Sequence, residues 1–136
     1  MNASLRVPDP VSLLVTDEVI RTYAEAANDH NPIHLDDDAG RAIGMPGRIA
    51  HGMLSGALLL RMLEEGFGSD WLLRGHVELT FIRPLLPNRT VTARAQLDGE
   101  RLRVWVETDE PGRPHVIVGT AWLEPDPTSA GQVLGN

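Results

Sequence analysis

Two side chains that can exchange protons, Asp29 and His34, stand five residues apart in the segment DHNPIH. The segment follows a predicted helix, and the negative end of that helix disfavours a carboxylate anion at Asp29. Pro32 stiffens the loop that leads to His34. A carboxylate and an imidazole held close together in a stiff loop can act as a general acid–base pair. The spacing alone more often means a loop-capping aspartate and an ordinary surface histidine, so this alternative stays open.

A second segment, RIAHGM at residues 48–53, opens the longest predicted helix. The free backbone N–H groups at the start of a helix can bind a developing oxyanion, and Gly52 would let a ligand approach closely. The alternative is a glycine that serves only to pack the helix against a sheet. His51 is interpreted either as a structural residue at the helix start or as a substrate contact.

The first third of the chain predicts the elements that carry these residues. An apolar run, Val11–Val15, predicts a strand, and Thr16 is a suitable N-cap for the helix that follows. That helix is expected to end near Asn28, because Pro32 biases the preceding residue away from helical geometry. The three aspartates at 36–38 are expected to cap a second, short helix.

The segment Ala50–Glu65 predicts a helix that is apolar on every side over its first ten residues and is therefore buried all round. Gly66 and Gly68 are expected to break it. Beyond Gly68 the hydrophobic period changes from helical to two. Strands are predicted at 75–81, 90–97, 101–106 and 115–123. Asp98-Gly99 is a strong hairpin signal between the second and the third of them.

This order of elements indicates an α+β fold in which a curved antiparallel sheet of about five strands wraps round one long central helix. A sheet of this kind leaves an edge, and pairing that edge with a second copy is the usual solution, so we expect a dimer. Residues 1–124 are expected to form this single domain. Residues 125–136, rich in Pro, Gly and Ser, are expected to form a flexible tail.

The composition excludes several classes of protein. The chain has 136 residues, all 12 of its basic residues are arginine, and it contains no cysteine. Thiol nucleophiles, cysteine metal sites and lysine Schiff bases are therefore excluded. The formal net charge of −7 argues against nucleic-acid binding through bulk charge. With no signal layout and no apolar stretch long enough to span a bilayer, we expect a cytoplasmic protein without membrane contact.

The sequence NDHNPIH, followed after sixteen residues by HGM, resembles the MaoC-like family of (R)-specific enoyl-CoA hydratases and 3-hydroxyacyl-thioester dehydratases. The resemblance extends from about Val11 to Glu124 and includes TFIRP at 80–84. It implies the hot-dog fold, which is the arrangement of sheet and helix predicted above. Short members include the catalytic subunit of mycobacterial fatty-acid dehydratase heterodimers. The chain departs from the family pattern at Asn28, where glycine is usual, and asparagine is the next most tolerant residue of positive φ.

The resemblance also implies roles for particular residues. Asp29 and His34 would hold a water that adds to C3 of a trans-2-enoyl thioester, or would remove the C2 proton in the reverse dehydration. The amide of Gly52 would bind the thioester carbonyl. The residues expected at the substrate-binding site are Asn31, His51 and Met53. Of these, Asn31 is expected to brace the loop.

No cofactor is expected, and the substrate would be carried as a thioester of CoA or of acyl carrier protein. No metal is expected either, because His30, His34 and His51 lack a convincing set of ligands. The candidates for contact with carrier phosphates are Arg48, Arg83 and Arg89.

Two other functions remain open at the level of the sequence. One is a hot-dog enzyme of different chemistry, either a thioesterase or an enzyme that adds another nucleophile. The other is a non-catalytic subunit that shapes the acyl tunnel of a catalytic twin, although an inert subunit would be expected to lose Asp29 or His34. A homodimer and a heterodimer with a second hot-dog subunit both fit.

Overall fold

The computed structural model describes residues 5–126. Its sheet has five antiparallel strands in the order β1-β3-β4-β5-β2. The strands are β1 (Val11–Val15), β2 (Gly75–Phe81), β3 (Arg89–Asp98), β4 (Arg101–Thr108) and β5 (His115–Leu123). The helices are α1 (Asp17–Ala27), α2 (Asp37–Ala42), α3 (Gly52–Phe67) and α4 (Ser69–Arg74), with a 3-10 turn at Pro32–His34. Of the predicted flexible tail, residues 127–136 lie outside the described residues.

The long helix α3 packs on one face of the sheet and contacts β1, β3, β4 and β5. Its side chains Leu59, Met62 and Leu63 are fully buried in one apolar core. Alternate residues of β4, among them Val104 and Val106, are fully buried in the same core. The predicted α+β fold, a five-stranded antiparallel sheet round one long helix, is therefore confirmed. Among the described residues, no helix is long and apolar enough to cross a membrane.

Three details of α3 differ from the prediction. The helix begins at Gly52 rather than at Ala50, and it continues through Gly66. Gly66 packs against Pro8, so closely that an added Cβ would lie 2.5 Å from the proline Cβ, and glycine is therefore needed there for packing rather than to end the helix. The helix is also not buried all round, since Met53 is 47% exposed. A single sheet covers only one side of a helix, and the opposite side of α3 therefore faces outward in this chain.

The short helix α4 is absent from the prediction. Its six residues, SDWLLR, are too few to show a helical period. Arg74 pairs with Asp70 one turn earlier at 3.3 Å, and its guanidinium also donates to the carbonyl of Glu124 at 2.7 Å. The second contact joins the end of α4 to the residue that follows β5.

The predicted caps of the first two helices are present. The Thr16 hydroxyl accepts a hydrogen bond at 3.1 Å from a backbone N–H in the first turn of α1, and Asn28 ends that helix with a φ of 51°. The Asp36 carboxylate caps α2. An added Cβ on Gly40 of α2 would lie 1.9 Å from the carbonyl oxygen of Gly47. This close backbone contact fixes the loop that leads into α3.

The outer strands β1 and β2 leave two edges in the sheet. Phe81, at the end of β2, and Ile82 are 47% and 45% exposed, and Leu14 on β1 is 52% exposed. Unpaired edges with exposed apolar side chains are surfaces on which a second chain can pair.

Candidate active site

Asp29 lies where the chain turns out of α1. Asn28 adopts a left-handed conformation, and the Asp29 N–H then donates back to the carbonyl of Ala24 at 3.0 Å. The asparagine thus provides the positive φ for which glycine is favoured. The Asp29 carboxylate is exposed and accepts a hydrogen bond from the Asn31 N–H at 3.3 Å. A carboxylate in this position can be reached by a ligand.

Asn31 shapes the loop that leads to His34. Its side-chain oxygen accepts from the Ile33 N–H at 3.2 Å, and its carbonyl accepts from the His34 N–H at 3.0 Å. Pro32 occupies the first position of the 3-10 turn, where a missing N–H leaves no bond unmade. The Asn31 oxygen is therefore used within the loop.

His34 is buried and is held in one tautomer. Its Nδ1 lies 2.8 Å from the carbonyl oxygen of Ile49. Because a carbonyl only accepts, Nδ1 must carry the proton and donate it. In the neutral ring, Nε2 is then a proton acceptor. The hydrogen bond to Ile49 also fixes the orientation of an imidazole that is only 8% exposed.

His51 connects the two predicted segments. Its Nε2 donates to the backbone carbonyl of Asp29 at 3.0 Å, and its ring stacks on that of His34 with centroids 3.8 Å apart. The Tyr23 ring lies on it at 4.9 Å. His51 thus ties the start of α3 to the acidic loop. Spacing in the sequence could not show the stacking of the two histidines or the contact with Tyr23.

Ligand atoms of Asp29, His34 and His51 lie within 4.8 Å of one another, a spacing at which three side chains can share a metal ion. A metal binds about 2.0 Å from an imidazole nitrogen and lies in the plane of the ring. Two rings stacked 3.8 Å apart, with 26° between their planes, do not share such a point. The cluster therefore does not fit a metal. His30 lies apart from it and pairs with Glu25 at 2.9 Å.

A cavity of about 170 Å³ lies beside His34, between the start of α3 and the sheet. Its polar lining comes from His34, Gly52, Ser55 and Arg83. The other lining residues are Ile49, Ala50, Phe81, Pro84, Leu85, Val116 and Ile117. A small apolar cavity with a few polar groups suits a short acyl chain with one polar end.

Some of the predicted site residues line this cavity and others do not. Gly52 lines the cavity, and an added Cβ there would lie 3.1 Å from the Phe81 ring. Met53 does not line it and instead lies on the exposed side of α3. Ser55 was not singled out in the sequence, although a lone hydroxyl in the otherwise apolar stretch GMLSGALLL is a recognisable signal.

The three candidate arginines are used differently. Arg48 is bound by Asp17 at 3.0 Å and by Asp37 at 2.8 Å, so its charge is already neutralised inside the fold. Arg89 pairs with acidic side chains next to β4, at 3.4 Å in the closer case. Of the three, only Arg83 lines the cavity, and it donates to a backbone carbonyl at 2.8 Å.

Arg48 gives a testable dependence of stability on pH. Its backbone N–H and guanidinium hold the pKa of Asp37 below the usual value, and it assists Arg21 in lowering that of Asp17. A carboxylate with a lowered pKa stabilises the fold above about pH 4 and loses that contribution as the pH falls through its folded-state pKa. Arg48→Met is therefore expected to lower the melting temperature most at pH 7, and the difference from wild type is expected to shrink below pH 4.

Melting curves between pH 3 and pH 8 measure this difference. Arg61→Met is the matched control, because Arg61 pairs with the exposed Glu65 on the surface of α3, where an ion pair contributes little. A deficit for Arg48→Met that stays constant over this pH range would show that the two carboxylates are not the cause.

The sequence of this chain is similar to those of known proteins. Residues 3–111 match the protein family described as "MaoC like domain". The 3-hydroxyacyl-thioester dehydratase X of Mycobacterium tuberculosis is 41% identical over 63 residues, which are 46% of this chain. The chain spans only 22% of the length of that relative.

Two solved structures are similar over nearly the whole chain. The (R)-hydratase from A. caviae involved in PHA biosynthesis has a TM-score of 0.68 at 23% identity, with coverage of 90% of this chain and 99% of that one. A chain of the ChsH1–ChsH2 complex from Mycobacterium tuberculosis has a TM-score of 0.70 at 16% identity, with coverage of 91% and 100%. These two similarities show the hot-dog fold. The match over residues 3–111 shows that the chain belongs to the MaoC-like family, as its DHNPIH and HGM segments predict.

Proposed function

We propose that this protein catalyses the reversible hydration of trans-2-enoyl thioesters to (R)-3-hydroxyacyl thioesters. One observation carries the proposal: His34 lines a small apolar cavity in the tautomer that can accept a proton, and a carboxylate oxygen of Asp29 lies within 4.8 Å of a ring nitrogen of His34. The substrate is a thioester of CoA or of acyl carrier protein. Acid–base chemistry on such a substrate needs no cofactor.

The mechanism follows from the two acceptors. A water donates one hydrogen bond to the Asp29 carboxylate and the other to Nε2 of His34, which leaves an oxygen lone pair free for C3. As the C3–O bond forms, the pair takes one proton from the water, and the electrons of the double bond move toward the thioester carbonyl. The pair then returns a proton to C2, so the enzyme ends in its starting state. Dehydration is the same sequence reversed.

The start of α3 can stabilise the negative charge that develops on the thioester oxygen. The N–H of Gly52 opens the helix and has no acceptor within it. Gly52 lines the same cavity as His34, so its N–H can bind the thioester carbonyl when negative charge develops there. The absence of a side chain matters here because an added Cβ would lie 3.1 Å from the Phe81 ring, which would have to move.

We further propose that the working unit is a dimer with a second hot-dog chain. The exposed apolar residues at the end of β2, Phe81 and Ile82, support this proposal, and Phe81 also lines the cavity. A partner that covers this edge would thereby close one wall of the site. Size-exclusion chromatography with light scattering measures the mass of the purified chain.

The decisive assay uses crotonyl-CoA with the purified chain. We expect loss of the absorbance of the conjugated enoyl thioester, no release of free thiol, and (R)-3-hydroxybutyryl-CoA as the product. Release of thiol would instead show a thioesterase. Activity that appears only after a second hot-dog subunit is added would show that this chain needs a heterodimeric partner.

A further inference from the structure

We infer that the Ser55 hydroxyl is a second hydrogen-bond donor to the thioester carbonyl oxygen, beside the amide of Gly52. The inference rests on the proposed function and adds a catalytic residue to it. Ser55 lies in the first turn of α3 and is 2% exposed. Within residues 5–126 its hydroxyl oxygen has no hydrogen-bond partner.

A buried hydroxyl without a partner reduces the stability of a fold. A serine in a helix usually avoids this by donating to the carbonyl four residues earlier, which is that of His51. That carbonyl accepts from the Leu54 N–H at 3.1 Å, and the Ser55 hydroxyl is not bonded to it. The hydroxyl is therefore kept available for a molecule that enters the cavity.

The position of Ser55 indicates which part of the substrate it meets. Both Ser55 and Gly52 line the cavity, and residues three apart lie on the same face of a helix. The Cα–Cβ bonds of a helix tilt toward its N-terminus, so the Ser55 hydroxyl lies over the turn that Gly52 opens. Two donors therefore converge on one end of the cavity.

The two histidines near the cavity do not fill this role, and Arg83 differs from Ser55 in being exposed and in using one guanidinium N–H for the carbonyl of His115. Nδ1 of His34 donates to Ile49. His51 has a buried Nδ1 without a partner among the described residues, but its Nε2 carries the ring proton, so Nδ1 can only accept. The water needs acceptors rather than donors, whereas the carbonyl oxygen needs donors.

The chemistry explains why a second donor matters. When oxygen adds to C3, or when the C2 proton leaves in the reverse reaction, negative charge collects on the thioester oxygen. A donor that is already in place stabilises this charge more than it stabilises the neutral carbonyl. Loss of one such donor lowers kcat by about 10²-fold. Ser55 thus contributes to kcat more than to KM.

The test compares wild type, Ser55→Ala, and Ser55→Cys, which fills nearly the same space with a weaker donor. Ser69→Ala, an exposed serine on α4, is the control. For crotonyl-CoA hydration we expect kcat to fall by about 10²-fold in Ser55→Ala with little change in KM. The melting temperature is expected not to fall, because an unpartnered buried hydroxyl has been removed. Ser69→Ala is expected to match wild type.

Infrared spectroscopy separates this role from a structural one. Butyryl-CoA labelled with carbon-13 at its carbonyl is saturated and cannot be hydrated, so it reports binding alone. We expect the carbonyl stretch of the bound molecule to shift to lower frequency in wild type and to shift less in Ser55→Ala. An unchanged kcat or an unchanged carbonyl frequency in Ser55→Ala overturns the assignment of Ser55. If butyryl-CoA does not bind to wild type, both this assignment and the proposed function are overturned.

The two proposals fail in different ways. If wild type binds butyryl-CoA but hydrates crotonyl-CoA neither alone nor with a second hot-dog subunit, the proposed reaction is wrong. The difference in carbonyl frequency between wild type and Ser55→Ala still decides whether Ser55 donates to the thioester.

Discussion

Asp29→Asn is expected to lower kcat/KM for enoyl-thioester hydration by about 10³-fold. The substitution keeps the shape of the side chain, and its amide oxygen can still accept the hydrogen bond that the Asn31 N–H donates to the carboxylate. The loop and the backbone carbonyl that binds His51 are therefore preserved. Only the ability of the group to take and return a proton is lost. Steady-state kinetics with crotonyl-CoA measure the effect, and circular dichroism checks the fold.

The control for this substitution is Asp38→Asn. Asp38 is an exposed aspartate in the first turn of α2 that pairs with Arg41 at 3.0 Å, and we expect its variant to retain wild-type kinetics. Turnover by Asp29→Asn within tenfold of wild type would mean that the carboxylate takes no part in proton transfer. The loop would then have a binding role only.

The sequence predicts the regular elements well where local rules determine them. β1, β2 and β5 have the predicted bounds. β1 is marked by a short apolar run and β2 by alternation of apolar and polar residues, both of which are local signals. α1 begins and ends where Thr16 and Asn28 predict, since both caps act through hydrogen bonds within a few residues. Such features depend little on the rest of the fold.

Long-range packing accounts for the elements that were predicted wrongly. Gly66 was predicted to end α3, but it lies within the helix and lets Pro8, far away in the sequence, approach closely. Arg48 was indistinguishable by type from Arg83, and only the folded chain brings it to Asp17 and Asp37. The helix propensity and the charge of a residue do not specify which distant residue it will contact in the fold.

The candidate site, too, could be predicted from the sequence only in part. The resemblance selected Asp29, His34 and Gly52 from short motifs, and whether they are catalytic stays a prediction. The arrangement that would make them work comes from contacts across 15 residues for His34 with Ile49 and 22 residues for His51 with Asp29. These contacts involve backbone carbonyls, which every residue has, so the residue types in the sequence do not predict them. The fixed tautomer of His34 therefore became visible only in the fold.

His34→Ala is expected to lower kcat/KM by about 10²- to 10⁴-fold and to regain part of its activity when imidazole is added. The truncation leaves a ring-sized space between His51 and the Ile49 carbonyl, where a free imidazole can donate one N–H to that carbonyl and accept a proton at its other nitrogen. Rescue by imidazole but not by pyrrole distinguishes a lost base from lost packing, because pyrrole fills the same space and donates an N–H but has no nitrogen that accepts a proton. His30→Ala removes an exposed histidine of the same loop and is expected to keep wild-type activity. Full activity in His34→Ala would rule out proton transfer by this ring. If imidazole restores no activity at any concentration and the melting temperature is lowered, the role of His34 is to hold the loop.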